Sequence, residues 1–119
     1  MLIAKVRANW AAGAGGTVPA VTIDMTAYKG RWMLYSMATT PGADAEAPTD
    51  NYDVTVKANG LDILGGAGSD RDTANYEMVA PKINGIEMPF PIMEDTLTLG
   101  VTGNTSAAAT GTVDLILVG

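Results

Sequence analysis

The pair Asn59-Gly60, set between two runs of alternating residues, constrains this chain more than any other feature. Before it, Tyr52, Val54 and Val56 alternate with Asp53, Thr55 and Lys57, the period of a strand that buries one face. Asn-Gly then suits the two positive-φ positions of a type I′ turn, whose twist matches the strands it joins. The segment over residues 48–64 therefore reads as a β-hairpin. A two-residue loop sets Ala58 against Leu61, Lys57 against Asp62, and Val56 against Ile63. A slip of one residue would turn Val54, Val56 and Ile63 outward, so the register is specified. Lys57 opposite Asp62 is expected to add about 0.2–1 kcal/mol as a cross-strand pair.

The same alternation recurs along the chain. Leu2, Ala4, Val6, Ala8 and Trp10 form one face of a first strand, with Ile3, Lys5, Arg7 and Asn9 on the other. Val21, Ile23 and Met25 face one way in a second strand. Leu97, Leu99 and Val101, then Val113, Leu115 and Leu117, mark two more near the end. Residues 12–16, AGAGG, form a loop; no Lys-Ser or Lys-Thr follows, so it lacks the groups of a phosphate-binding loop. Ser69 or Asp70 is placed to cap a short helix, yet Tyr76, Met78 and Ala80 alternate as an edge strand does, and strand is the preferred reading. Pro81, Pro89 and Pro91 keep residues 86–90 out of a central sheet position, as an edge or an arm. About eight strands at roughly ten-residue spacing predict an all-β fold: one domain over residues 1–119, an antiparallel β-sandwich of jelly-roll-like type.

Residues 31–38, RWMLYSMA, are apolar on both faces. Simple alternation puts Trp32 and Leu34 on one and Met33, Tyr35 and Met37 on the other. Either a second layer of the sandwich covers the extra face or another subunit does. The second reading predicts a homo-oligomer, dimer or trimer. Its interface would take Met33, Tyr35 and Met37, with Met88 and Phe90 reaching across from the proline-rich arm.

Composition removes several function classes. Histidine and cysteine are both absent, which takes away the commonest general base, the imidazole triads, thiolate metal sites and disulfides. Seven basic against thirteen acidic residues leave a net charge of −6, which repels phosphate backbones, so no nucleic-acid partner is expected. The first ten residues lack the apolar block of a secretion signal and no apolar run approaches a membrane span, so no membrane partner is expected either. The sequon Asn104-Thr105-Ser106 is then read as coincidence. Of the clustered carboxylates, Asp50, Asp70 and Asp72 are the set from which loops of a sandwich would build a calcium site, though no EF-hand spacing is present. Paired carboxylates would also suit glycoside hydrolysis, which needs a cleft that a sandwich of this size seldom leaves. Trp10, Trp32, Tyr28, Tyr35, Tyr52 and Tyr76 are the residues from which a sugar-binding platform would be drawn; on strands such residues more often belong to the core. The expectation is a non-enzymatic protein with no catalytic, cofactor-binding or metal-ligating residues.

The stretch GRWMLYSMATTPGADAEAPTDNYDVTVKANGLDILGG, followed by SDRD, resembles small virion proteins of tailed bacteriophages. The likeness rests on Pro41-Gly42, Pro48-Thr49, Tyr52 to Val54, Asn59-Gly60 and Asp62 to Gly66, structural motifs within residues 30–72. It implies a β-sandwich virion subunit assembled in the host bacterial cytoplasm, of the capsid decoration (cement) type. Its partners would be the major capsid protein or other virion proteins. A neck or tail component and a carbohydrate-binding module on the virion surface are the alternatives.

Overall fold

The computed structural model describes all residues, 1–119. Its strands are β1 (Ile3–Ala11), β2 (Val21–Asp24), β3 (Met33–Pro41), β4 (Asp53–Ala58), β5 (Leu61–Asp62), β6 (Glu77–Val79), β7 (Lys82–Ile83), β8 (Ile86–Glu87), β9 (Phe90–Pro91), β10 (Thr96–Thr102) and β11 (Thr110–Val118). The only helical pieces are single 3₁₀ turns at Ala14–Gly16 and Asp44–Glu46, so no helix is long and apolar enough to cross a membrane. One sheet runs β1-β11-β3-β6 with β9 also on β3; the other runs β2-β10-β4-β5. All pairings are antiparallel, and the two sheets enclose one core in a β-sandwich.

The pairs β1/β11, β2/β10, β3/β6 and β4/β5 nest inside one another, innermost at the Asn59-Gly60 turn. The chain is thus a long hairpin bent over so that alternate portions lie in opposite sheets. Every connection between these eight strands changes sheet except that turn. Asn59 and Gly60 have φ of 49° and 85°, the backbone the turn was expected to need, and Ala58 faces Leu61 and Lys57 faces Asp62 in the expected register.

The expected ion pair across that register is not formed. Asp62 instead turns its carboxylate to the backbone: Oδ1 accepts from the N–H of Val56 (3.2 Å) and Leu64 (3.1 Å), and Oδ2 from Gly66 (3.1 Å). Three donors that the two-residue β5 leaves without a strand partner outcompete one exposed lysine, because an unpaired N–H costs more than a surface ion pair returns.

Periodicity predicted the core well outside β3. Tyr52, Val54 and Val56, Ile23 and Met25, Leu97 and Leu99, and Val113, Leu115 and Leu117 all point between the sheets and are buried. In β3 the alternation breaks. The register passes from Ile116↔Ser36 directly to Leu117↔Leu34, so Tyr35 is an extra residue, a β-bulge. Past the bulge the faces exchange. Leu34 and Met37 both point into the core and are 0% exposed, while Ser36 and Ala38 lie on the outer side. The expectation that Met37 shares a face with Met33 and Tyr35 is therefore overturned, and Met37 is a core residue opposite Leu115.

Candidate interaction surface

The two sheets present different outer faces. On the β2-β10-β4 sheet the outward positions are Thr22 and Asp24, Thr96, Thr98, Gly100 and Thr102, and Asp53, Thr55 and Lys57, a polar surface rich in threonine. The other sheet is polar only in part. Asn9, Thr112 and Thr40 lie in one cross-strand row at one end, with the Thr112 hydroxyl donating to Asn9 Oδ1 at 2.9 Å. Further along, Arg7 grips Asp114 through two bonds, Nε to Oδ1 at 2.8 Å and a terminal nitrogen to Oδ2 at 3.0 Å. That hydrogen-bonded guanidinium holds the Asp114 carboxyl below the usual range against the opposing effect of burial. Beyond this pair the face turns mainly apolar: exposed Lys5 lies beside Ile116 in the next row, then Ile3, Val118 and Met33 stand in register, with Tyr35 and Met78 nearby.

The connection between β6 and β9 shapes this apolar region. β6 pairs with residues 37–39 of β3 and β9 with residues 33 and 34, so Tyr35 and Ser36 have no strand partner on that edge. Across the gap the chain leaves the sheet as a small hairpin arm, β7-β8, turned at Asn84-Gly85 with φ of 52° and 78°. A groove of about 440 Å³ results, lined by Tyr35, Met78, Val79, Met88 and Pro89, with Ser36 and the carboxylate-bearing Glu87 among its walls. Tyr35 is 56% exposed within it.

Of the interface residues expected from sequence, Tyr35 and Met88 meet in this groove and Met33 is exposed on the same sheet. Met37 does not belong, for the reason given above. Phe90 is half-buried, pairs with Leu34 and packs against the core, so it anchors the arm to its own domain instead of reaching outward. Residues that sequence reasoning left out are Met78, Ile83 and Ile86, all exposed. Asn84-Gly85 between two isoleucines carries the same hairpin signature as Asn59-Gly60, set among prolines that disfavour a central strand.

The clustered carboxylates are engaged by their own loops. Asp53 accepts from the Asp70 N–H (2.9 Å), Asp50 from the Thr73 N–H (3.2 Å), and Asp72 from those of Ala74 and Asn75 (2.7 and 2.9 Å). Those last two bonds lower the Asp72 pKa. It is Asp72, not Ser69 or Asp70, that organises the turn entering β6. No three acidic side chains converge closely enough to hold a metal ion. Asn104, the sequon asparagine, is buried; its side-chain nitrogen donates to the carbonyls of Gly16 and Ser106 (both 2.9 Å) and its oxygen accepts from the Thr49 N–H (3.0 Å). It ties three loops together at one end of the sandwich. Trp10 and Tyr52 are buried with ring centroids 5.8 Å apart, and Tyr28 and Trp32 pack edge to face at 5.4 Å, so only Tyr35 and Tyr76 remain as exposed aromatics. Burial also raises the Tyr52 pKa.

Comparison with protein-family models, with curated proteins and with solved structures finds no match.

Proposed function

We propose that this chain is a non-enzymatic structural protein of a tailed-phage virion, a capsid decoration subunit that strengthens the head by bridging capsomers. The observation that carries the reading is the inequality of the two outer faces: a threonine-rich polar sheet on one side, an apolar strip with a groove on the other. A decoration subunit needs one face for its contacts, with capsomers and with its own copies, and one for solvent. The resemblance of residues 30–72 to small virion proteins supports the same reading, and the nested strand pairing suits a jelly-roll fold. Many copies, each held weakly, together resist the outward pressure of packaged DNA through multivalency. The partner in this reading is the major capsid protein, and the site of action is the virion.

The experiment adds purified protein to capsids that lack it, followed by sedimentation and electron cryomicroscopy. Saturable binding at capsomer joints, with a higher disruption temperature for the decorated shell, is expected. Density confined to a single vertex would assign a neck or tail role instead. Absence of binding would refute attachment to the head.

A further inference from the structure

We infer that the arm at residues 81–88 and the groove beside Tyr35 are the two halves of one contact between two copies of this chain, each arm lying in the other's groove. The inference does not depend on the capsid reading. Lys82↔Glu87 and Ile83↔Ile86 are paired, and the Met88 N–H donates to the Pro81 carbonyl at 3.0 Å, which fixes the register of the arm. Alternation then places Pro81, Ile83, Ile86 and Met88 on one face and Lys82 and Glu87 on the other. Pro81 is buried at the base, whereas Ile83 and Ile86 near the tip are 38% and 66% exposed. A two-stranded hairpin has little stability of its own, and its apolar face is fully covered only at Pro81, with Ile83 and Met88 partly covered and Ile86 mostly open.

The occupant follows from what the same chain carries. A projection with an apolar tip and a recess whose lining is mostly apolar, with Glu87 and Ser36 among its walls, stand side by side, so a two-fold axis seats each in the other's counterpart. Six exposed apolar side chains, Met33, Tyr35, Met78, Ile83, Ile86 and Met88, make up this surface. At about 200 Å² for a fully exposed large side chain, their exposed fractions amount to roughly 600 Å². A stable dimer buries about 800 Å² per partner, so a polar rim need supply only the remainder. Charge agrees. Although the chain carries −6, Asp114 is paired with Arg7 and Glu77 with Arg71; Glu87, on the groove wall, lies across from Lys82 without an ion pair, Lys5 adds a positive charge beside Ile116, and the other acidic residues are on the opposite sheet and in loops. Two copies can meet here without bringing their net charges together.

The test is sedimentation velocity over a concentration series, with Ile86→Glu in the arm, Met78→Glu in the groove and Thr98→Glu on the polar sheet. All three positions are exposed, and circular dichroism with thermal melting verifies that each variant is folded. Serine replaces glutamate at any position where it is not. The wild type is expected to dimerise, the arm and groove variants to bind themselves at least about tenfold more weakly, and Thr98→Glu to match wild type. A wild type that stays monomeric, or an arm or groove variant that dimerises like wild type, overturns the inference. A monomer that still coats capsids overturns it while leaving the capsid reading standing, and a dimer that ignores capsids does the reverse.

Discussion

Replacing Met37 with alanine tests the bulge in β3, because simple alternation and the observed register assign this side chain to opposite faces. Met37 is 0% exposed and faces Leu115 across the β3–β11 ladder. Truncation there removes everything beyond Cβ from a closed core, losing both the transfer energy and the packing around the cavity left behind. Substitutions of this kind cost about 2–5 kcal/mol, a large part of a typical domain's stability. In a chain of this length the melting temperature should fall by roughly 10–20 °C. Met33, two positions before the bulge and 37% exposed, is the control, and Met33→Ala should cost less than about 1 kcal/mol. Urea titration followed by tryptophan fluorescence at low protein concentration measures both, with Trp10 reporting from inside the core. A loss under about 1 kcal/mol at Met37 together with more than about 2 kcal/mol at Met33 would mean that the two side chains had been assigned to the wrong faces.

Gly60→Val should destabilise the domain by about 1–2 kcal/mol or more, purely through backbone strain at φ 85°, since no atom lies near the added Cβ; an unchanged urea midpoint would refute this. Asp62→Ala should cost about 1–3 kcal/mol by stranding the N–H groups of Val56, Leu64 and Gly66, whereas Lys57→Ala should cost under about 0.5 kcal/mol, and equal losses in denaturant would restore the ion-pair account. Asp114 has a lowered folded-state pKa, so its contribution is full above the unfolded value of about 4 and is lost as pH falls through the folded value. Melting scans from pH 6 to pH 2 should therefore show Asp114→Asn less stable than wild type at pH 6, with the gap closing below about pH 4; a constant gap would exclude this group as a source of the acid response. Saturating EDTA should leave the melting temperature nearly unchanged, and a drop of many degrees would reveal a metal bound to the folded state.

The hairpin at Asn59-Gly60, the faces of β1, β2, β4, β10 and β11, and the edge position of β6 were legible in the sequence because each depends on local properties. Alternation reports which face is buried, and Asn-Gly reports a turn that other residues adopt only with strain. The antiparallel sandwich follows from many such strands in a chain with little helical tendency. Tertiary structure decided the rest. Nothing around Tyr35 marks a bulge, because a bulge is a mismatch between two strands 80 residues apart, and it sent Met37 inward and left Tyr35 at the groove. Asp62 could be paired with Lys57 on register alone, but which donors lacked partners depended on how soon β5 ends. The groove exists because β6 and β9 share one edge of β3 and the arm leaves between them. Periodicity assigns a side chain to a face. What lies against that face is set by long-range pairing, which no single segment encodes.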